Sequence, residues 1–170
     1  MEGWKSDSNV MLNKASMEGV VNVWDQNIID AYIAQTKARS PIGSYGTVDL
    51  YPVMDDFQDR AIKGKNVAVL GSERPWIESM LLHYGADAVT CVEYGKIDSK
   101  VPKLYTITPG EYELKRKEQF EKGEQPDLFD SIWSYSSLEH DGLGRYGDPL
   151  NPYGDMQTMV KASCMLKPGT

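Results

Sequence analysis

An α/β fold built on an open parallel sheet is the class this sequence predicts, and three observations predict it. Residues 66–71, Asn-Val-Ala-Val-Leu-Gly, form a short apolar run ending in glycine. Residues 88–93, Ala-Val-Thr-Cys-Val-Glu, form a second run ending in a carboxylate, and Arg74 to Tyr84 between them has helical spacing. Strand, tight turn, helix and strand in that order make a nucleotide-binding βαβ unit. In such a unit a glycine lets backbone approach a ligand and an acid roughly 20 residues on accepts ribose hydroxyls. Gly71 and Glu93 stand in those two places.

At 170 residues the chain is long enough for one domain with a proper core and too short for two of ordinary size. Its 18 Lys+Arg against 25 Asp+Glu give a net charge of -7 and a pI near 4.8. That balance argues against nucleic-acid or anionic-membrane binding through a general basic field. No apolar run reaches the length of a membrane span, and Met1-Glu2-Gly3-Trp4-Lys5 opens no apolar signal core. The expectation is a soluble, cytoplasmic protein. Cys91 and Cys164 lack metal-ligand spacing and read as buried thiols.

Taken in order, residues up to Ala15 are polar and aperiodic and read as an arm. From Met17 to Lys37, Val20, Val21, Trp24, Ile28, Ala31 and Tyr32 recur at helical spacing and predict one amphipathic helix. Ser40 to Gly46 is a glycine- and proline-broken loop, read as a connection rather than as a cover for a ligand mouth. Residues 1–50 are thus an N-terminal arm, helix and loop, and 51–170 the sheet domain. Met54 to Ile62 predicts a short helix closed by Gly64. In the 74–84 helix Trp76, Met80 and Tyr84 share a line with Ile77 and Leu81 beside it, so this stripe is core. Glu78 and His83 fall elsewhere, His83 reading as a solvated or capping side chain.

After a polar segment to Val101, Leu104-Tyr105-Thr106-Ile107 is a third strand. Thr108-Pro109-Gly110-Glu111 is a helix start, because a Thr cap, a Pro at the first position and an acid at the third satisfy or remove orphan N–H donors. That helix runs to about Lys122 and stops at Gly123, with Glu113/Lys117 and Glu118/Lys122 as expected surface pairs. Residues 127–134 supply a fourth strand and Met156 to Met165 a further helix. Leu166 to Thr170 reads as a turn into another strand, which suggests a sheet incomplete at its C-terminal side and an open edge capable of self-association.

Ligands of open parallel sheets bind outside the carboxyl ends of the strands. Those ends lead into Gly71 to Pro75, Glu93 to Lys96, Thr106 to Thr108 and the long loop from Ser134 to Gly154. A loop of this length in a compact α/β domain is usually functional. Within it Glu139-His140 forms a candidate acid/base pair. The competing view is that its glycines and prolines set turns and its acids cap the next helix. Glu139-His140-Asp141 is not a recognised metal-ligand spacing, so no metal is expected. The turn Gly71-Ser72-Glu73-Arg74-Pro75 has one glycine, a Pro without N–H and an acid placed to repel phosphate. It therefore disfavours NAD or FAD and tolerates the cationic sulfonium of S-adenosylmethionine. Asn151-Pro152-Tyr153 reads as a turn, and neither a phosphate-binding loop nor a nucleophile elbow is present.

Val67 to Gly71, Glu93, Phe129-Asp130, Ser137-Leu138-Glu139-His140 and Leu166-Lys167-Pro168-Gly169 follow the motif order of class I S-adenosylmethionine-dependent methyltransferases, which the chain resembles. More specifically, Gly64 to Ser72, Pro75 to Glu78, Val92 to Tyr94 and Ser136 to Pro149 resemble a methyltransferase-like family named from nematodes and described as a domain of unknown function. The resemblance implies a Rossmann-like, class I methyltransferase-like fold over 51–170; the first functional expectation built on it is methyl transfer from S-adenosylmethionine to a small-molecule or glycan-like acceptor. Carried over residue by residue, Gly71 and Ser72 meet the cofactor's methionine end, Glu93 and Tyr94 its ribose side, and Ser134 and Ser136 the end of the fourth strand. His140 and Glu139 then face the acceptor. The single glycine of the turn departs from the family pattern, and a non-catalytic scaffold that keeps the fold without the cofactor is the rival expectation.

Overall fold

In the computed structural model, residues 21–145 and 148–169 are described. Along the chain they form β1 (Asn22–Trp24), α1 (Gln26–Ala38), α2 (Leu50–Phe57), β2 (Asn66–Leu70), α3 (Trp76–His83), β3 (Ala88–Val92) and β4 (Ile97–Ser99). There follow β5 (Leu104–Ile107), α4 (Pro109–Glu121), β6 (Ser131–Trp133) and α5 (Gly154–Met165). α2 continues into a π-helical turn over Gln58–Ile62, which Gly64 ends with a φ of 68°. The expected parallel α/β architecture is present. Four strands form one parallel sheet in the order β5-β3-β2-β6, and β1 pairs in parallel with β4 beside it.

Strand register explains the unbroken apolar runs. Val67, Val69, Val89 and Cys91 enter a core with α1, α2 and α3, while Ala68, Leu70 and Val92 enter a second core with Tyr112, Phe129 and Met165. Side chains alternate across a strand, so a strand covered on both faces has no polar face to show. The chain runs outward from β2 to β3 and β5, then returns to β6 on the other flank of β2. The carboxyl ends of β2 and β6 therefore flank a topological switch point, where crevices open in such sheets.

Helix ends follow their local chemistry. Asp25 caps α1, its carboxylate accepting from Ile28 N at 3.0 Å. At α4 Thr108 Oγ accepts from Glu111 N at 3.2 Å and the Glu111 carboxylate accepts from Thr108 N at 2.9 Å, the capping box the sequence predicts.

Several expectations are corrected. The helix expected from Met17 begins at Gln26, because Asn22–Trp24 is strand and Asp25 starts the helix. The arm to Ala15 and the helical assignment of Val20 lie outside the described residues. Trp24, expected on a helical stripe, is inserted in the main core at 1 % exposure through the β1–β4 pairing. Cys164 is exposed, because α5 turns only part of its surface to the sheet. Glu113 reaches across to Lys161 on α5 at 2.7 Å, and Lys117 pairs with Glu121.

The 40–46 loop is more than a connection. Ile42 bridges Thr47, and Tyr45 reaches Ser136 and packs near Tyr135. Glu78, expected off the core, is fully buried. Trp76 through Leu81 are all buried, so α3 has no polar face along that stretch. Leu166 returns to bridge Phe129 in parallel, just before β6.

Candidate functional site

The site is assembled from three strand ends and the long loop after β6. Gly71 leaves β2 with a φ of 71°, a backbone conformation that L side chains rarely adopt. Ser137 lies directly against it: a Cβ built on Gly71 would fall 1.7 Å from Ser137 Oγ. Ser72, next along, is tied on both sides. Its N–H donates to Glu93 Oε2 at 2.8 Å, and its Oγ lies 2.9 Å from the Arg74 carbonyl and 3.1 Å from Glu78 Oε2. Glu93, at the end of β3, also accepts from Gly95 N at 3.3 Å. Burial pushes the Glu93 carboxyl up, and the surrounding backbone N–H groups pull it partly back.

The loop from Ser134 is organised by its own polar groups. Ser134 Oγ donates to the Leu70 carbonyl at 3.1 Å, pinning the end of β6 to that of β2. Ser136, at a φ of 48°, places Oγ 2.8 Å from Glu139 Oε1 and 3.2 Å from the Tyr45 hydroxyl. Leu138–His140 forms one 3-10 turn. The Asp148 carboxylate accepts from Gly142 N at 2.7 Å and Gly144 N at 2.9 Å, closing the loop on itself. Tyr146 and Gly147 lie outside the described residues.

Two pockets meet here and share Gly71, Glu93 and Ser137 as a common wall. The first, of about 130 Å³, has an apolar floor that includes Leu70, Val92, Tyr112, Leu138 and Met165. Tyr94 and Asp141 border it, and the Glu113–Lys161 ion pair stands at its rim. Burial pushes the Asp141 carboxyl up, and its hydrogen bond with Thr158 opposes that. The second, of about 250 Å³, is lined by hydroxyls and charges: Ser72, Tyr45, Tyr135 and Ser136 with Glu73, Arg74 and Arg145.

Of the sequence-predicted residues, Gly71, Ser72, Glu93, Tyr94 and Ser136 line one or both pockets. Ser134 is turned to backbone. Glu139 and His140, the expected acid/base pair, lie on the short turn after Ser137 and line neither pocket, with His140 Nε2 3.8 Å from Glu139 Oε1, beyond hydrogen-bond reach. The Ser136 hydroxyl holds the exposed Glu139 carboxyl below its usual range, so Glu139 remains an anion that orients neighbours. Sequence reasoning did not count Ser137, Asp141, Tyr45 and Arg145 among the site residues: Ser137 stood in the motif after the fourth strand and Asp141 beside Glu139-His140, while Tyr45 and Arg145 carried no signal beyond membership of polar loops. It also did not count Glu78, whose one signal was its place in the Pro75 to Glu78 stretch that carries the resemblance.

Among the described residues no group of three or more His, Cys, Asp or Glu is arranged to hold a metal ion, and no helix is long and apolar enough to cross a membrane. No curated protein matches the chain. The profile of the family described as Caenorhabditis protein of unknown function, DUF268, matches residues 64–170, which include β2 through α5 and every pocket wall named above except Tyr45, and the chain belongs to that family.

Proposed function

We propose that the chain binds S-adenosylmethionine across the carboxyl ends of β2, β3 and β6 and methylates a small or glycan-like acceptor. The observation that carries this reading is the pair of unlike pockets joined at Gly71, Glu93 and Ser137. An adenosine fits the chemistry of the apolar one, bounded by Tyr94 and Leu138. The amino-acid end of the cofactor fits the polar one, where Glu73 suits an ammonium group and Arg74 and Arg145 a carboxylate. Glu93 stands between them, and a carboxylate has acceptor sites beyond the N–H groups it already holds. The strand order, the first half of a doubly wound sheet, agrees with a Rossmann-like, class I methyltransferase-like fold.

When bound, the cofactor supplies an electrophilic methyl group on a cationic sulfur. The protein's own work is alignment and proton removal. An acceptor hydroxyl held between Tyr45, Ser136 and Arg145 would pass its proton to Glu139, whose carboxylate already stands 2.8 Å from Ser136 Oγ, with His140 next to it in sequence.

A second reading, a non-catalytic binding or scaffold domain, is favoured by one specific contact. Ser137 fills the space over Gly71, and Ser72 already occupies one oxygen of Glu93, which narrows the passage between the pockets. Calorimetric titration of the folded chain with S-adenosylmethionine separates the two. Binding that Glu93→Ala abolishes supports the first reading. A folded chain that takes up no cofactor supports the second.

A further inference from the structure

Under the Gly71–Pro75 turn lies a buried carboxyl that the proposed chemistry does not use. Glu78 sits in the first turn of α3 with 0 % exposure, and its Oε1 has no hydrogen-bond partner. Its Oε2 lies 3.1 Å from Ser72 Oγ, and that same hydroxyl lies 2.9 Å from the Arg74 carbonyl. A serine hydroxyl has one proton. It cannot donate to a Glu78 carboxylate and to the Arg74 carbonyl at once. A proton on Glu78 resolves the conflict: Glu78 donates to Ser72 Oγ, and Ser72 donates to Arg74 O, so both contacts of the Ser72 hydroxyl are made and an unpartnered Oε1 carries no charge.

We propose that Glu78 is a positioning residue that works as a neutral acid, its proton fixing Ser72 and hence the turn that Ser72 presents to Glu93. This rests on the cofactor reading only for its functional consequence. Ser72 bridges two acids, offering its N–H to Glu93 and its hydroxyl to Glu78. If Glu78 gives its proton to bulk water, two buried negative charges flank one residue, and the Ser72 proton turns to Glu78, releasing the Arg74 carbonyl. The turn loosens and the pocket wall shared by Gly71 and Glu93 shifts.

The surroundings agree with a neutral acid. Desolvation first, and the charge of Glu93 among lesser causes, push the Glu78 carboxyl up to about 7. From β3, the Cys91 thiol faces both the Ser72 carbonyl, at 3.9 Å, and the Glu78 carboxyl; burial first and the Glu78 charge next push the thiol well up, so it brings no charge, and its contact with Glu78 pulls that carboxyl only partly back. Glu73 in the turn acts on Glu93. At the far end of α3, Lys37 of α1 acts on His83, and Arg39 and Asp55 act on Tyr84.

The test has a ligand-free arm and a ligand arm. Carbon-13 NMR of the Glu side-chain carboxyls, assigned by the spectrum of Glu78→Gln, should show one carboxyl titrating near pH 7, with the Ser72 amide shift following the same curve. In Glu78→Gln, whose amide can donate to Ser72 Oγ, the Ser72 shift should be flat through that range. A Glu78 carboxyl titrating in the ordinary range, or a Ser72 shift indifferent to it, overturns the proposal.

In the second arm, S-adenosylhomocysteine is titrated into both proteins at pH 6 and pH 8. Wild-type affinity should fall about fivefold, which one pK unit of coupling gives between these two pH values for a group titrating near 7, and Glu78→Gln should show no pH dependence. Equal pH dependence in the two proteins overturns the positioning role. Absence of binding to either protein at both pH values counts against the cofactor reading alone, and the proton on Glu78 is then decided by the NMR titration.

Discussion

Ser72 and Glu93 are joined by a 2.8 Å hydrogen bond from the backbone N–H of one to the carboxylate of the other, which clasps the turn after β2 to the end of β3. The two residues are adjacent only because those strands are neighbours in the sheet. The acid that the sequence marks as a ribose acceptor is therefore also a structural tie.

That double role makes Glu93→Ala and Glu93→Gln diagnostic. Alanine leaves the Ser72 N–H without its acceptor, at a cost of about 1–3 kcal/mol in stability. Glutamine keeps an oxygen for Ser72 and should lose less. Denaturant midpoints measure this difference, and calorimetry with S-adenosylmethionine should show weakened binding in both. Undiminished affinity in Glu93→Ala would remove Glu93 from the cofactor site.

Gly71→Ala meets two obstacles, the positive φ and the Ser137 hydroxyl 1.7 Å from the new Cβ. The backbone part costs about 1–2 kcal/mol, and the clash adds to it. Combining it with Ser137→Gly should restore the steric part and leave the backbone part. A double-mutant cycle by chemical denaturation reads that coupling, and strict additivity would show that Ser137 moves aside freely.

Ala162 lines the apolar pocket from α5 and is partly buried against Leu70, Val92 and Met165. Ala162→Phe should fill the slot at a stability cost of about 1–3 kcal/mol. The expected outcome is a folded protein by circular dichroism with no detectable S-adenosylhomocysteine binding. Retained affinity would move the nucleoside elsewhere.

Glu78 also sets a pH dependence of stability. Its carboxyl is raised from 4.5 to about 7 in the folded state, so the folded protein binds more protons than the unfolded one between those values. Stability from this group is full below about pH 4.5, declines as pH rises to about 7 and is flat above. The difference is roughly 3 kcal/mol, from 1.36 kcal/mol per unit. Relative to Glu78→Gln, wild-type melting temperature should fall across that window. Parallel curves for the two proteins would mean that Glu78 has an ordinary carboxyl.

Much of the scaffold is written in local pattern. The apolar runs at 66–71, 88–93 and 104–107 become the strands Asn66–Leu70, Ala88–Val92 and Leu104–Ile107, and Thr108 with Glu111 closes the capping box that starts α4. Each depends on side chains within a few residues of one another, where periodicity and capping chemistry act directly. Gly71, Ser72, Glu93, Tyr94 and Ser136 were readable as pocket residues for a related reason: they sit where strands end, and strand ends follow from strands.

What only the tertiary structure decided are relations between distant segments. The β1–β4 pairing cuts short a plausible helix and carries Trp24 into the core. Ser137 closes over Gly71, and Tyr45 reaches Ser136 across 91 residues of sequence. Glu78 is the clearest case. A helix stripe assigns sides on the assumption that one face meets water, but α3 is buried from Trp76 through Leu81. Burial is set by what packs around a residue, and no periodicity of its own segment records that. The sequence alone determined which segments form the sheet and where its strand ends lead. The packing of those ends decided which acids are buried, which hydroxyl bridges them and where a ligand can enter.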